Sequence, residues 1–344
     1  MSLPTRLRDI RQMLETFDLR QIEAAVAQEA RAQLVIIGPV NSGKSTLFNQ
    51  LKGQKLSAVS AVPGTTTGVI GERFGPFWLV DTPGLDEVSG SERAARALGA
   101  LDQADVVVLV LDVSAGIRQS DADLLQHVRM QGLPVVVALN KIDLVRRDLK
   151  LVVQDAERKL GTPVIPISAK RGTGIASGLL PAIIDAHPRM AVTIGRALPR
   201  YRRMAALRVI RESGMLAALM GAEPIPGLGI PLLIAVQVRM LLRLAAIYGH
   251  EMSAARAREL IGAIAGGIAI RYGAQELAKL VPGLGWLVAA VASGTGTMAL
   301  GRAAILFFEN SQKLSPEQLR QLYRQARRRK SLPEPEQTED YGQA

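Results

Sequence analysis

The stretch Gly38-Pro39-Val40-Asn41-Ser42-Gly43-Lys44-Ser45 decides the fold of this chain, because it has the spacing G-x-x-x-x-G-K-S between two regular patterns. Residues 34–37 before it are all apolar and predict a buried strand, and residues 46–51 after it predict the start of a helix. Glycines let backbone N–H groups turn around a polyphosphate, and the positive end of the following helix attracts the same anion. The stretch predicts a phosphate-binding loop, with a chance glycine-rich turn as the alternative.

The loop also predicts how a nucleotide and its metal ion are held. The Lys44 ammonium group is expected to reach the β- and γ-phosphates, and the Ser45 hydroxyl is expected to ligate Mg²⁺. The predicted nucleotide-binding residues of the loop are Gly38, Asn41, Ser42, Gly43, Lys44, Ser45 and Thr46.

Residues 34–187 repeat a strand–loop–helix pattern. Short runs rich in Val, Ile and Leu are typical of parallel strands that helices cover on both faces. The pattern predicts an α/β, doubly wound domain whose ligands bind at the carboxyl ends of the strands. Strands are predicted at 34–37, 69–74, 77–81, 105–111, 134–139 and 163–167, and helices near 91–103, 120–131, 149–160 and 174–186.

Two further motifs fall where the metal ion and the γ-phosphate are expected. Asp81-Thr82-Pro83-Gly84 ends an apolar strand, so Asp81 can hold Mg²⁺ through water and the Gly84 N–H can contact the γ-phosphate. Thr66, in the polar loop 63–68, is predicted to complete the Mg²⁺ shell. Taken alone, the threonine-rich loop favours an ordinary loop, but its place between the other motifs favours the metal-binding role.

Base recognition is predicted from two motifs that follow later strands. Asp143 of Asn140-Lys141-Ile142-Asp143 can accept hydrogen bonds from N1–H and the exocyclic amine of guanine, a pair that adenine lacks. Asn140 can brace the loop, the stem of Lys141 can cover the base, and the Ala169 N–H of Ser168-Ala169-Lys170 can donate to guanine O6. These motifs predict GTP and GDP as ligands.

The set of motifs resembles that of a translation-factor-class small GTPase, most similar to the TrmE–Era–EngA group, over about residues 33–187. The resemblance implies hydrolysis of GTP to GDP and phosphate with Mg²⁺, and it implies catalytic roles for Lys44, Thr66, Gly84 and Asn41. Thr67-Gly68 stand where that group usually has Arg-Asp, which puts the details of the first switch in doubt.

Leu85 follows Asp81-Thr82-Pro83-Gly84, where many small GTPases carry a glutamine that positions water. Leucine offers no hydrogen bond, so intrinsic turnover should be slow. In similar GTPases a K⁺ ion bound by the asparagine of the phosphate loop supplies charge, and Asn41 occupies that position. Asn41 as a side chain that stabilises the loop remains the alternative.

Composition and charge bound the rest of the chain, which has 344 residues, no cysteine and a net charge of +11. Residues 1–190 hold 22 of the 42 Lys and Arg and 20 of the 31 Asp and Glu, so the excess of positive charge lies in residues 191–344. A basic half favours an anionic partner, either a membrane surface or nucleic acid. Residues 1–30 show no secretory signal. The predicted domains are N-terminal helices at 1–32, a GTPase domain at 33–188, an all-α helical domain at 189–312, and a basic helix with a disordered tail at 313–344.

The second half contains an internal echo: Ile225-Pro226-Gly227-Leu228-Gly229 recurs as Val281-Pro282-Gly283-Leu284-Gly285. Each copy opens an apolar stretch, and the second, 280–301, is long enough to span a bilayer. Arg239 and Arg243 in the first stretch would be costly at mid-bilayer. A compact helical domain that docks on the inner leaflet is the favoured interpretation, against a membrane hairpin or an ordinary bundle. Residues 205–309 resemble the YcjF-like domain of unknown function, some members of which are membrane-associated.

Three functions remain open from the sequence. The first is a GTP-hydrolysing switch, cytoplasmic and peripheral on the inner membrane, that meets an anionic membrane surface or a membrane protein. The second is a ribosome- or tRNA-linked GTPase, although aromatic residues make up 4% of the chain and form no stacking platform for RNA. The third is a GTP-loaded scaffold that does not hydrolyse, as Leu85 suggests. A nucleotide-dependent dimer is compatible with each of them.

Overall fold

A computed structural model describes residues 19–52, 71–80, 101–146, 148–222, 229–265, 285–310 and 315–328. The described residues group into two compact units. The sheet unit contains those of 23–209 and 245–251, and the helical unit contains those of 1–22, 210–244 and 252–344. This grouping rests on contacts, and the predicted domain boundaries at 32, 188 and 312 stay a prediction.

The sheet unit is built on a six-stranded sheet with the order β2-β3-β1-β4-β5-β6. Neighbouring strands are parallel, apart from the antiparallel pair β2–β3. Each strand lies within two residues of its predicted place along the described chain. The strands are β1 Leu34–Ile37, β2 Gly71–Phe74, β3 Phe77–Val80, β4 Val106–Asp112, β5 Val135–Asn140 and β6 Val164–Pro166.

Helices cover both faces of this sheet. Alternate residues of a strand point to opposite faces, and all four residues of β1 are buried, so both faces are covered there. On one face, Val107 and Leu109 of β4 pack in a cluster with Leu125 of α3. The doubly wound α/β prediction is therefore confirmed. The helices are α1 Leu19–Glu29, α2 Lys44–Lys52, α3 Gln119–Met130, α4 Leu149–Leu160, α5 Leu180–Ala186 and α6 Met190–Ala197.

The second half of the chain is helical, as predicted. Its helices are α7 Arg202–Ala222, α8 Gly229–Ile247, α9 Ala254–Ala265, α10 Gly285–Glu309 and α11 Pro316–Arg328. The sequence Ser315-Pro316-Glu317-Gln318 predicts a helix start, with Ser at the N-cap and Pro at the first position, and a reciprocal cap at the start of α11 confirms it. The Gln318 N–H donates to the Ser315 hydroxyl at 3.2 Å, and the Ser315 N–H donates to the Gln318 side chain at 2.8 Å.

Glycines bring α7 and α10 into close contact. A Cβ added at Gly221 would lie 2.5 Å from Ser293 Oγ, and one at Gly214 would lie 2.6 Å from the Met298 side chain. The end of α7 therefore meets the beginning of α10, so the two helices run antiparallel. The sequence also contains Gly262-x-x-x-Gly266, a spacing that predicts close packing of helices. Gly262 is exposed, and Gly266 lies outside the described residues.

Polar side chains are also buried inside the helical unit. Arg243 is 2% exposed, and its guanidinium donates to Glu212 at 2.7 Å. Arg239, four residues away on the same helix, is exposed. The buried Gln237 amide donates to the Thr297 hydroxyl at 3.1 Å. The two arginines are four residues apart on one helix, yet Arg243 is buried and Arg239 is exposed. The difference arises because the partner of Arg243, Glu212, lies on α7.

One described helix, Leu287–Glu309, is long and apolar enough to cross a membrane, with a mean hydropathy of 1.3. Within the apolar 18-residue window of this helix, 61% is buried inside the folded structure. The core helix of a folded bundle passes the same test, so this helix alone does not decide between the three interpretations of the second half.

Candidate functional site

The predicted site residues follow the carboxyl ends of parallel strands that share one edge of the sheet. The glycine-rich loop follows β1, Asn140 ends β5, and Ser168 comes shortly after β6. Thr66, Asp81 and Gly84 lie outside the described residues. The structure brings the remaining predicted residues to this edge: Gly38, Asn41, Ser42, Gly43, Lys44, Ser45, Thr46, Asn140, Lys141, Asp143, Ser168, Ala169 and Lys170.

The loop between β1 and α2 needs its two glycines. Gly38 has φ +145°, and a Cβ there would lie 2.1 Å from the carbonyl oxygen of Val110. Gly43 has φ +93°, and a Cβ there would lie 2.2 Å from Asn140 Nδ2. Asn41 also takes the left-handed conformation, with φ +63°. A larger residue at either glycine would push the loop away from its neighbours.

Lys44 holds this loop in shape. Its side chain is buried, and Nζ donates to the carbonyl oxygens of Gly38 at 2.9 Å and Pro39 at 3.0 Å. Helix α2 begins at Lys44, and the Leu47 N–H donates to the Gly43 carbonyl. The loop therefore combines a buried ammonium group with the positive end of a helix, an arrangement suited to an anion.

Asn140 joins the loop to the segment after β6. Its Nδ2 donates to the Ser42 carbonyl oxygen at 2.9 Å, and its Oδ1 accepts from the Ala169 N–H at 2.9 Å. Both hydrogen bonds are buried. One side chain thus sets the spacing between the predicted phosphate loop and the predicted base loop.

Asp143 lies half-exposed beside the same segment. The Ser168 hydroxyl donates to Asp143 Oδ1 at 2.5 Å and accepts from the Arg171 N–H at 3.2 Å. The hydrogen bond from Ser168, with smaller contributions from the charges of Arg171 and Lys170, holds the pKa of Asp143 below its usual value. The carboxylate is therefore ionised and ready to accept hydrogen bonds.

Asp112, which ends β4, was not predicted as a site residue from the sequence. Lys141 Nζ donates to Asp112 Oδ2 at 2.6 Å, and Lys141 has φ +67°. Asp112 Oδ1 accepts from both the N–H and the hydroxyl of Ser114. Burial alone would raise the pKa of Asp112, but the hydrogen bonds from Lys141 and Ser114 lower it overall. An aspartate directly after an apolar strand was the signal that could have found it.

Gly174, in the segment after Lys170, was also missed. It has φ +77°, and a Cβ there would lie 2.4 Å from the Pro166 carbonyl oxygen. The Ser168 N–H donates to the Thr173 carbonyl at 3.0 Å, which folds this segment back on itself. The fold-back holds the Ser168 hydroxyl beside Asp143.

Of the predicted Mg²⁺ ligands, the structure describes Ser45, whose hydroxyl lies in the first turn of α2. No group of three or more His, Cys, Asp or Glu that could hold a metal ion occurs in the ranges that the structure describes. A nucleotide-bound Mg²⁺ needs few protein ligands, because phosphate oxygens and water supply the others. An exposed hydroxyl next to a buried ammonium group fits that ion.

Comparison with known families divides the chain into two parts. Residues 33–141 match the MMR_HSR1 family, which is described as 50S ribosome-binding GTPase. Residues 188–331 match DUF697, a domain of unknown function.

Relatives of the first part are bacterial GTPases. The tRNA modification GTPase MnmE of Thermotoga sp. strain RQ2 is 34% identical over 181 residues, which are 50% of this chain and 39% of MnmE. GTPase Der of Acidithiobacillus ferrooxidans is 39% identical over 175 residues, which are 46% of this chain and 39% of Der. GTPase Era of Halothermothrix orenii is 34% identical over 148 residues, which are 41% of this chain and 50% of Era. The chain thus spans half or less of the length of these relatives.

The matched ranges agree with the geometry, since residues 33–141 contain the loop around Lys44 together with Asn140 and its strand. The recognition made from the motifs is confirmed: the chain contains a GTPase domain of the MMR_HSR1 family, followed by a DUF697 domain.

Proposed function

We propose that this chain binds GTP and GDP at the carboxyl edge of its sheet, hydrolyses GTP as a molecular switch, and associates with a membrane through its helical half. The observation that carries the nucleotide site is the pair of buried hydrogen bonds through Asn140. They hold an anion-binding loop and an ionised carboxylate at one edge of the sheet. In this proposal the loop contacts the phosphates of the nucleotide and the carboxylate contacts its base.

The phosphates lie in the loop 38–46. Backbone N–H groups from Gly38 to Thr46 and the Lys44 ammonium group contact them, and the Ser42 side chain lies within the same loop. Nζ of Lys44, which now donates to two loop carbonyls, moves its hydrogen bonds to the β- and γ-phosphates. When the nucleotide binds, the Lys44 ammonium group thus exchanges its hydrogen bonds to the loop carbonyls for hydrogen bonds to phosphate.

Guanine lies between Asp143 and Ala169. The Asp143 carboxylate accepts from N1–H and the exocyclic amine, and the Ala169 N–H shifts part of its hydrogen bond from Asn140 to O6. Lys141 and Lys170 cover the base with their stems. Adenine lacks this pair of donors and leaves the carboxylate unpaired, so it should bind more weakly than guanine.

Ser45, together with Thr66 and Asp81, would hold Mg²⁺, which would supply positive charge to the phosphates. In hydrolysis the oxygen of water bonds to the γ-phosphorus while the bond to the β–γ bridging oxygen breaks, which leaves GDP and inorganic phosphate. Lys44 and the Gly84 N–H stabilise charge on the phosphates. Asn41 would ligate K⁺ in this proposal, and its exposed position within the loop supports that role.

Equilibrium binding of fluorescent GDP, competed by GTP, GDP or ATP, tests the nucleotide site. GTP and GDP should compete at least a hundredfold better than ATP. Asp143→Asn should reduce that preference, whereas Asp123→Asn, an exposed carboxylate on α3, should not. Equal competition by ATP would contradict the proposal.

Phosphate release tests hydrolysis and its ion dependence. Single-turnover release should be slow and should be faster in K⁺ than in Na⁺ buffer, and Asn41→Ala should remove the difference. No release over many hours would favour the GTP-loaded scaffold that Leu85 suggests.

Membrane association is supported by the basic second half and by the apolar length of α10. The proposed location is the cytoplasm, peripheral on the inner membrane, in contact with anionic lipid or a membrane protein. Fractionation of cells with and without a non-hydrolysable GTP analogue tests it. Recovery in the soluble fraction under both conditions would contradict it.

An RNA-linked role is the second candidate, because the relative MnmE is named a tRNA modification GTPase and the second half is basic. It predicts RNA binding that weakens steeply with salt. Binding of total tRNA or ribosomes at 50 and 200 mM KCl separates the candidates, and light scattering with GDP and GTP tests a nucleotide-dependent dimer.

A further inference from the structure

Large aliphatic side chains are exposed at one end of the helical unit. On α7 they are Met215 at 59% and Leu219 at 65% exposure, and on α10 they are Leu287 at 45%, Val288 at 57% and Val291 at 56%. Because Gly221 of α7 packs beside Ser293 of α10, both groups lie at the end of the pair where α7 finishes and α10 begins. We call these five side chains the apolar tip.

The tip is uniformly apolar among its described residues. From 213 to 222 and from 287 to 294, every exposed or half-exposed residue is Ala, Met, Leu or Val. The first polar residues with exposed surface behind it are the half-exposed Glu212, which accepts from the buried Arg243, the exposed Arg211 on α7, and the exposed Thr295 on α10. At 1.5 Å per residue, each lies about 15 Å from its end of the helix pair. The two helices therefore change from apolar to polar exposure at the same depth.

The axial length of the exposed apolar part of each helix is close to the depth to which apolar side chains enter a membrane interface. The exposed aliphatic residues occupy about the last 10 Å of α7, from Met215 to Ala222, and about the first 9 Å of α10. Interfacial helices insert their apolar face by about 5–10 Å. Arg211 would then stand at the level of the lipid phosphates, where a cation is favourable.

The distribution of these side chains favours a fluid partner over a rigid one. Consecutive exposed residues, such as Leu287 and Val288, point about 100° apart around the helix. A second protein would cover one side of such a tip and leave the other side in water. Acyl chains surround a tip from all sides, so lipid buries the whole set.

The geometry points to the apolar tip as the element that inserts into the surface of an anionic lipid bilayer, with Arg211 at the headgroups. This inference rests on the proposed membrane association and names the part of the chain responsible for it. It does not depend on nucleotide hydrolysis.

The test is flotation of the full chain with vesicles of phosphatidylcholine alone or with one quarter phosphatidylglycerol. The double variant Leu219→Glu with Val291→Glu should lower the fraction bound to anionic vesicles at least tenfold. The control Met130→Glu with Leu151→Glu changes two similarly exposed residues of the sheet unit, at 72% and 62%, and should bind as the wild type does. Arg211→Glu should weaken binding to anionic vesicles and leave the weaker binding to neutral ones unchanged.

Because the chain has no cysteine, a second readout avoids charged substitutions. A polarity-sensitive dye on Leu219→Cys should shift to the blue when anionic vesicles are added, and the same dye on Met130→Cys should not. This comparison reports insertion even if the double variant unfolds.

Several outcomes would overturn the inference. If wild type and double variant float equally well, or the dye at residue 219 stays in water on bound vesicles, another part of the chain contacts lipid, while the proposed membrane association survives. If the wild type floats with neither vesicle, both fail. If the wild type is a dimer that the double variant converts to a monomer, and neither floats, the tip is an interface between copies.

Loss of guanine nucleotide binding with the flotation difference intact would refute the proposed nucleotide site, and it would still support insertion of the apolar tip.

Discussion

Replacing Asn140 by Ala should destabilise the sheet unit and weaken nucleotide binding together. The substitution removes the donor to the Ser42 carbonyl and the acceptor from the Ala169 N–H, both at 2.9 Å and both buried. A buried polar group that loses its partner costs about 1–3 kcal/mol. With two such groups affected, the free energy of unfolding should fall by about 2–5 kcal/mol.

Urea denaturation of the sheet unit measures this loss. The chain has two tryptophans, Trp78 in β3 and Trp286 in α10, so Trp286→Phe leaves a probe in the sheet unit alone. At a slope of about 2 kcal/mol per molar urea, the midpoint of Asn140→Ala should fall by about 1–2.5 M. The slope should stay unchanged if the variant differs only in stability.

A matched control removes an amide hydrogen bond that is exposed. Gln119 Nε2 donates to Asp123 at 2.9 Å on the surface of α3, in the same unit. Gln119→Ala should change stability by less than about 0.5 kcal/mol, as surface substitutions usually do. Asn140→Asp keeps the acceptor for Ala169 but sets a carboxylate oxygen against the Ser42 carbonyl, so it should be at least as destabilising as Asn140→Ala.

Nucleotide affinity gives the second readout for Asn140→Ala. Because Asn140 sets the spacing of the two loops, GDP should bind at least tenfold more weakly at a urea concentration of zero, where the variant is still folded. If the midpoint moves by less than about 0.2 M and GDP binds as to the wild type, the bridge does not hold the site together and the reasoning fails.

Three further predictions concern the same edge of the sheet. Gly43→Ala should lower GDP affinity at least tenfold, because its Cβ would lie 2.2 Å from the amide of Asn140 and φ is +93°; a calorimetric affinity equal to that of the wild type would contradict this. Asp112→Asn should speed GDP release severalfold in stopped-flow measurements, since Lys141 loses its anionic partner at 2.6 Å, while the preference for GTP over ATP should persist. The pKa of Asp143 is lowered from 3.8, so its carboxylate stays charged as the pH falls and loses its charge only below that value. The ratio of GDP affinity to ADP affinity should therefore be flat from pH 7 to 5, because both nucleotides carry the same titrating terminal phosphate. A tenfold decline of that ratio over this range would refute the role given to this carboxylate.

Much of the fold followed from local pattern. The bounds of the strands that begin at residues 34, 106, 135 and 164 were predicted within two residues. Continuous apolar runs bounded by polar loops identify such buried parallel strands. The start of α11 was predicted because a capping box involves residues only three apart.

The close packing in the helical unit was not predicted from sequence. Gly262 and Gly266 have a spacing typical of close helix contacts, yet the observed contacts use Gly214, Gly221 and Gly294. A glycine packs closely only where another helix approaches, and no local pattern states which helix that is.

The order and spacing of the motifs alone predicted a phosphate-binding loop after the first strand, and they predicted that a carboxylate after the fifth strand recognises guanine. Each of these motifs spans a few consecutive residues, and the chemistry of those residue types indicates the ligand group that they bind. Tertiary structure alone decided that Asn140 reaches Ser42, 98 residues away, and that Asp112 holds Lys141. Those partners meet because parallel strands deliver their carboxyl ends to one edge of the sheet, a convergence that depends on strand order and register.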